Sequence, residues 1–320
     1  MGERNNALSV YVNRSDRIKS VLEYYLGEKL PEDWQCEEVR GFYTVRNRKG
    51  KLSFRQRDYI GKAHAWGTDF WLGIENQDGR NLTFPWRLME LDCLTYGKEI
   101  EEIQEKNSRE EVHYGTEDDF KYSYKKEDVL LPVLNLTLYW GSRRWRHPLC
   151  LRDMMDTGQK AVLPKKLWNL AGNYKVNLIH MRMIPETELE KMDSDLKYVL
   201  GIMKCSKERK QFVEYIRRNR EYFSRIPKSA VDVIDVFTNM KDVRDKLQFT
   251  TNPESGEEET DMCKAWEDIK KDERKQGIKQ GAVRVNKLNQ LLLADGRQDD
   301  LLKSITDMLF QQKLFREYHI

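Results

Sequence analysis

The sequence predicts a mixed α/β fold with a helical C-terminal region, and three observations support this. A helical pattern at residues 15–26 is followed by strand-like segments up to Gln77. A helical pattern beginning near Pro85 and a continuous apolar segment at 130–139 come next. From about residue 186 onward the pattern is mainly helical. This order predicts a mixed sheet flanked by helices.

The first predicted elements are a helix and a hairpin. Ile18, Val21 and Tyr25 recur at helical spacing, and Gly27 ends this helix. The region from Trp34 to Trp66 is rich in β-branched and aromatic residues and is interrupted by a turn signal at 47–50. We therefore expect a hairpin, with Asp58 on its second arm.

A strand at 70–77 and a helix from Pro85 follow. Apolar residues recur along this helix at steps of three and four, which predicts the face that packs on the core. That face consists of Trp86, Met89, Cys93, Tyr96, Ile100 and Ile103. A polar stretch at 104–128 precedes the strand at 130–139, and a further strand is expected around 176–179.

Composition changes predict the domain boundaries. We expect an α/β core at residues 1–185, a helical extension at 186–249 and a linker at 250–260, where Thr, Asn, Pro, Ser, Gly and Glu dominate. A C-terminal helical module is expected at 261–320, with a helical hairpin across Asp295 and Gly296.

Composition also excludes several classes of protein. Charged residues make up 34% of the chain and the mean hydropathy is -0.79, with no apolar run long enough to span a membrane. A cytoplasmic protein without a membrane partner is expected. The five cysteines are scattered singly, which argues against a disulfide framework and structural zinc.

Basic residues form three local groups, although the net charge is only +3. They lie at 143–147, 204–210 and 217–220. Each group is suited to contact phosphates, and each is equally well explained as a solvated surface.

The predicted strand at 70–77 carries the candidate chemistry. Because side chains alternate along a strand, Glu75 and Gln77 share one face, with Cα atoms about 7 Å apart. Asp58, on the neighbouring strand, reaches the same point if the register allows. Two converging carboxylates repel each other unless a cation such as Mg²⁺ lies between them. Taken alone this is a weak signal, since carboxylates at strand ends are often simply solvated.

Several longer segments carry a resemblance that strengthens the signal. They are the stretches at 73–77, 85–92 with Tyr96, 131–141, 151–156, 232–239, 261–265 and 277–281. Together they resemble the bacterial recombination-promoting nuclease/putative transposase (Rpn) family, which is part of the PD-(D/E)xK nuclease superfamily. The resemblance covers most of the chain from about residue 15.

The resemblance implies a restriction-endonuclease-like core and Mg²⁺-dependent cleavage of DNA that promotes recombination or DNA mobility. It implies that Asp58 and Glu75 hold the metal, with the Asn76 backbone carbonyl as a further ligand. Gln77 stands at the superfamily's lysine position. Glu23 lies where many members have an acidic residue on the first helix. Mn²⁺ suits the same oxygen ligands.

Two functions are therefore expected. The first is an active endonuclease in which Gln77 positions the water or the phosphate, Arg87 contacts phosphate, and a homodimer supplies two active sites. The second is a protein that keeps the nuclease fold but acts in DNA binding or assembly, because glutamine cannot neutralise an oxyanion.

Overall fold

The computed structural model describes residues 3–39, 42–46, 52–79, 81–109, 121–155, 164–206, 208–238 and 240–320. The predicted turn at 47–50 and His113 lie outside these residues. Contacts divide the chain into two compact units. The first comprises Met1–Tyr215 and Lys228–Asn239, and the second comprises Ile216–Pro227 and Met240–Ile320. This division differs from the predicted boundaries because each unit combines segments that are separate in sequence.

The strands are β1 (Gln35–Glu38), β2 (Phe42–Arg46), β3 (Leu52–Gln56), β4 (Tyr59–Ala65), β5 (Thr68–Gln77), β6 (Val133–Tyr139), β7 (Leu178–His180), β8 (Ile226–Pro227), β9 (Thr250–Thr251) and β10 (Glu258–Thr260). The helices up to residue 218 are α1 (Glu3–Val12), α2 (Ser15–Leu26), α3 (Phe84–Arg109), α4 (Lys165–Trp168), α5 (Glu186–Leu189), α6 (Leu196–Cys205) and α7 (Arg209–Arg218). The remaining helices are α8 (Arg220–Phe223), α9 (Lys228–Thr238), α10 (Lys241–Arg244), α11 (Met262–Ala294), α12 (Gln298–Thr306) and α13 (Met308–Glu317).

A five-stranded sheet in the order β1-β4-β5-β6-β7 forms the centre of the first unit. Strands β1, β4 and β5 are antiparallel neighbours, whereas β5, β6 and β7 run parallel. Strands β2 and β3 form a separate two-stranded hairpin. The sheet, its flanking helices and the helical C-terminal region confirm the predicted mixed α/β fold.

One face of the sheet is apolar and is covered by helices. Leu72 and Ile74 are fully buried, and α1 packs on both β5 and α9. Trp140, just after β6, stacks on Phe237 of α9 with ring centroids 6.1 Å apart. Helix α1 was not predicted, because its buried residues, Leu8, Tyr11 and Val12, lie mainly at one end and give little helical periodicity.

Helix α3 packs on the opposite face of the sheet. The side of the helix that contacts the sheet differs from the predicted one. Trp86 is 44% exposed and Cys93 is exposed, whereas the other four predicted residues are partly buried, so the prediction was wrong for these two positions. The buried residues of α3 are Phe84, Pro85, Leu88, Leu91, Asp92, Thr95, Glu99 and Asn107. Half of this set is polar, and periodicity of apolar residues alone does not detect such a face.

The second unit contains a small sheet and long helices. Strands β8, β10 and β9 pair in that order, so the stretch at 250–260 contains paired strands where a linker was expected. Helix α11 continues through Gly277 and Gly281 to Ala294. Helices α11 and α12 flank Asp295 and Gly296, and Gly296 has a φ of 70°. The buried cluster of Leu288, Leu292 and Leu314 joins α11 mainly to α13, with Leu301 of α12 packed against it.

Among the described helices, none is at once long enough and apolar enough to cross a membrane.

Candidate metal centre

Asp58 and Glu75 meet where β4 begins and β5 continues beyond it. Tyr59, the first residue of β4, lies opposite Ile74, so β4 gives no partner to residues 75–77. Asp58 occupies this side of β5. Its backbone N–H donates to Glu75 Oε1 at 3.3 Å, and its Oδ2 accepts from the Asn76 backbone N–H at 2.7 Å. The two carboxylates predicted from sequence therefore lie together, with Asp58 just before β4.

Both carboxyl groups are buried, at 9% exposure for Asp58 and 0% for Glu75. Loss of solvation and, second, the neighbouring Asp58 charge raise the pKa of Glu75 to about 7, against the lowering effects of Arg87 and Arg57. Desolvation also raises the pKa of Asp58, against the lowering effects of the Asn76 hydrogen bond and the Arg87 charge. Such a pair is costly to ionise without a nearby cation.

Arg87 supplies positive charge from the first turns of α3. Its Nη2 donates to Glu75 Oε2 at 3.0 Å, and its side chain is 37% exposed. Phe84 and Pro85 are buried at the start of the helix and fix its position. Arg87 thus reaches from the solvent boundary into the site, and one Glu75 oxygen is engaged by a side chain able to move outward.

Asn76 and Gln77 use opposite faces of β5. The Asn76 side chain points away from the carboxylates, and its Oδ1 accepts from Trp140 Nε1 at 2.9 Å. In a strand, the N–H and C=O of one residue point to the same side. Since the Asn76 N–H faces Asp58, its carbonyl faces the same side of β5.

Gln77 lies on the Glu75 face and is 8% exposed. Its backbone carbonyl accepts from the Trp140 N–H at 2.7 Å. Among the described residues, its side-chain amide has no hydrogen-bond partner. An unengaged amide at the end of the strand is available to a ligand.

Glu23 is held elsewhere. Its carboxylate accepts from Lys29 Nζ at 3.0 Å and from the Leu30 backbone N–H at 3.2 Å. In the part of the chain that the structure describes, no contact joins it to Asp58 or Glu75. Its carboxylate is satisfied within the α2 region, and the geometry gives it no place in the centre.

A buried polar cluster beside the site was missed at the level of sequence. Arg57 donates to Asp92 on α3, which also accepts from Tyr174 and, at 2.8 Å, from Asn135 Nδ2. The Arg57 guanidinium lies over Gly73, where a larger residue would collide with it. The charged Asp92 within the apolar pattern of α3 could have indicated a buried polar contact. Its partners could not be predicted, because they come from three distant segments.

The oxygen donors fit a hard divalent cation. No group of three or more His, Cys, Asp or Glu side chains suited to a metal occurs among the described residues. Mg²⁺, however, is commonly bound by one or two carboxylates and keeps several waters. Asp58, Glu75 and the Asn76 carbonyl match that requirement.

The fold and this geometry define a class: a mixed α/β protein with a buried carboxylate pair at the end of a central strand. The model of the family described as "Putative transposase, YhgA-like" matches residues 113–233, which is less than half of the chain. The match confirms the predicted resemblance to a transposase/Rpn-type family. The matched segment includes β6 and β7 but not Asp58, Glu75 or Arg87.

No curated protein and no solved structure matches the chain.

Proposed function

We propose that this protein is a metal-dependent endonuclease that hydrolyses phosphodiester bonds of DNA. The observation that carries the proposal is the contact between Asp58 and Glu75, two buried carboxyl groups with raised pKa values at the end of β5. Burial of two carboxyl groups costs folding free energy, and groups perturbed in this way are concentrated at functional sites. The family name adds support, because transposition requires contact with DNA and breakage of its strands.

In this proposal Asp58, Glu75 and the Asn76 carbonyl hold Mg²⁺ or Mn²⁺. When bound, the cation lowers the pKa of a water molecule and stabilises the negative charge that develops on the phosphate. The buried walls around Glu75 exclude bulk solvent and strengthen the electrostatic interactions within the site. Gln77, on the same face, orients the attacking water or the scissile phosphate by hydrogen bonds.

Arg87 has two roles in the proposal. In the structure it balances the Glu75 charge. Because its side chain is partly exposed, it can leave Glu75 Oε2 and turn toward a phosphate when a cation takes its place. The guanidinium then supplies part of the positive charge that Gln77 lacks.

The wider role that we propose is recombination or mobility of DNA in the cytoplasm. It rests on the transposase description of the matching family. A homodimer suits double-strand cleavage, since two active sites then act on the two strands.

A second function is favoured by one observation. Gln77 is uncharged, and within the described residues the guanidinium of Arg87 donates to Glu75 Oε2. A site balanced by its own arginine also suits a nuclease-fold protein that binds or assembles on DNA with little or no cleavage.

Plasmid nicking distinguishes these two functions. Supercoiled plasmid is incubated with Mg²⁺ and the wild type, Asp58→Asn, Glu75→Gln or the control Glu37→Gln. Glu37 is an exposed carboxylate on β1 of the same sheet. If the protein is a nuclease, wild type and control should nick the plasmid and both site variants should lose this activity. Nicking that persists in both site variants overturns the site, whereas DNA binding without nicking in the wild type supports the second function.

A further inference from the structure

The loop after β6 lies beside the candidate metal centre. Tyr139, the last residue of β6, is the register partner of Gln77, and the Trp140 N–H donates to the Gln77 carbonyl at 2.7 Å. The chain then continues through residues 141–147, which include the basic group at 143–147. Because β5 and β6 are parallel, this loop leaves the sheet at the same edge as Gln77.

Trp145 anchors the loop at its middle. Its ring lies 5.0 Å from that of Tyr139 and 6.0 Å from that of Phe84, both in edge-on contact. Phe84 begins α3, three residues before Arg87, and belongs to a buried cluster with Leu88. The Trp145 indole therefore connects the loop to β6, whose last residue pairs with Gln77, and to the first turn of α3, which carries Arg87.

The start of the loop is also fixed. His180 Nε2 is 2.8 Å from the Gly141 carbonyl, consistent with a hydrogen bond donated by the ring N–H. The Tyr139 ring covers Gly141 so closely that any side chain at this position would overlap it. The loop thus has a defined position relative to the metal centre.

The arginines of this loop extend into solvent. Arg143, Arg144 and Arg146 are exposed, and within the described residues none has an ion-pair or hydrogen-bond partner. In a second basic group, by contrast, Lys204 donates to the Ile184 carbonyl. Three unpaired guanidinium groups on an anchored loop are suited to bind anions at fixed positions.

We propose that this arginine loop, residues 141–147, binds the phosphate backbone of duplex DNA and holds it against the metal centre. The proposal rests on the proposed function for the choice of DNA as partner. Guanidinium groups bind phosphate oxygens in pairs of hydrogen bonds, and each neutralised phosphate releases counterions. Three such contacts contribute about 2.7 to the negative slope of log K against log salt concentration.

The test measures the affinity for a labelled DNA duplex by fluorescence anisotropy in EDTA. The salt concentration is varied from about 50 to 200 mM, a range in which counterion release changes the affinity strongly. The variant Arg143→Gln/Arg144→Gln/Arg146→Gln is compared with wild type. Its control, Lys106→Gln/Lys121→Gln/Lys126→Gln, removes equal charge near the far end of α3, about 30 Å along the helix from Arg87. We expect the arginine variant to bind on the order of tenfold to a hundredfold more weakly, with a slope smaller by about 2.7, and the control to resemble wild type.

Three results overturn the arginine loop: an unchanged slope in the arginine variant, an equal loss in the control, or tighter binding of duplex RNA than of duplex DNA by wild type. A variant that keeps positive charge, Arg143→Lys/Arg144→Lys/Arg146→Lys, should retain most of the slope, which distinguishes loss of charge from misfolding. Since EDTA removes divalent cations, the assay is independent of cleavage. A wild type that binds duplex DNA through the loop in EDTA but does not nick plasmid in Mg²⁺ would overturn the nuclease and leave the loop intact, so the two failures give different results.

Discussion

The backbone N–H of Asn76 in β5 donates a 2.7 Å hydrogen bond to Oδ2 of Asp58, the residue just before β4. This bond replaces the ladder contact that β4 would have made had it continued past Tyr59. It directs the Asp58 carboxylate to the unpaired edge of β5, where Glu75 is bonded to the Asp58 N–H. The end of one strand thus creates the carboxylate pair.

The first prediction concerns the pH dependence of stability. The pKa of Glu75 is about 7 in the folded protein and 4.5 in its ordinary state. A raised pKa favours folding below pH 4.5, and that contribution is lost as the pH rises through 7. Glu75→Gln does not titrate, so without metal it should gain stability relative to wild type between pH 5 and pH 8, by up to about 3 kcal/mol.

Urea unfolding in EDTA at both pH values measures this difference, with Glu37→Gln as the control. A difference between Glu75→Gln and wild type that is the same at pH 5 and pH 8 would contradict the raised pKa. Addition of Mg²⁺ at pH 8 should stabilise the wild type and leave Glu75→Gln unchanged.

The second prediction concerns Arg87. Its guanidinium occupies Glu75 Oε2, so Arg87→Gln frees an oxygen and removes a positive charge that repels the metal. At pH 8 the variant should bind Mn²⁺ more tightly, on the order of tenfold or 1.4 kcal/mol. Nicking should nevertheless slow, because the phosphate loses its arginine.

Calorimetry at pH 8 and plasmid nicking together measure the two effects. Arg109→Gln, at the other end of the same helix, removes an arginine from an exposed ion pair with Glu105 and serves as the control. Weaker Mn²⁺ binding by Arg87→Gln would show that Arg87 supports the metal site rather than competing with it.

The third prediction concerns Gln77. Lysine at this position would add the charge that glutamine cannot provide to a developing oxyanion. Gln77→Lys should therefore nick plasmid at least tenfold faster than wild type in Mg²⁺, since a single electrostatic contact of this kind is worth about 10²–10³ at best. The double variant Glu75→Gln/Gln77→Lys should remain inactive. This result would show that the faster nicking of Gln77→Lys depends on the metal site. An unchanged rate in Gln77→Lys would mean that charge at this position does not limit cleavage.

Local patterns predicted the strand and much of the centre. The alternation along β5 placed Glu75 and Gln77 on one face, and Gly27, with a φ of 77°, ended α2 at the predicted residue. Asp58 was within reach because β4 and β5 are consecutive antiparallel strands, so their register depends on a short connection. Signals of this kind need only neighbouring residues.

The remaining features depend on contacts that no local pattern encodes. The buried side of α3 carries Asp92, Thr95 and Glu99, whose burial is tolerated only because partners arrive from other elements. Arg57 was overlooked beside Asp58 for the same reason, since its ion-pair partner lies thirty-five residues away. The second unit escaped prediction because Ile216–Pro227 joins Met240–Ile320 across an intervening helix.

The fourth prediction concerns the Arg57–Asp92 pair. The Arg57 side chain is fully buried, and Nε and Nη1 already lack hydrogen-bond partners among the described residues. Asp92→Ala leaves this charge unpaired, so it should lower the free energy of unfolding by about 3–5 kcal/mol. Asp69→Ala, which removes an exposed partner of Lys62 and His64, should change it little.

Urea unfolding of both variants measures the contrast, and the double variant Arg57→Met/Asp92→Leu tests its cause. Replacement of a buried ion pair by apolar residues of similar size is often neutral, so the double variant should recover most of the stability that Asp92→Ala loses. Equal loss of stability in the single and double variants would show that Asp92 acts through Asn135 and Tyr174 rather than through Arg57.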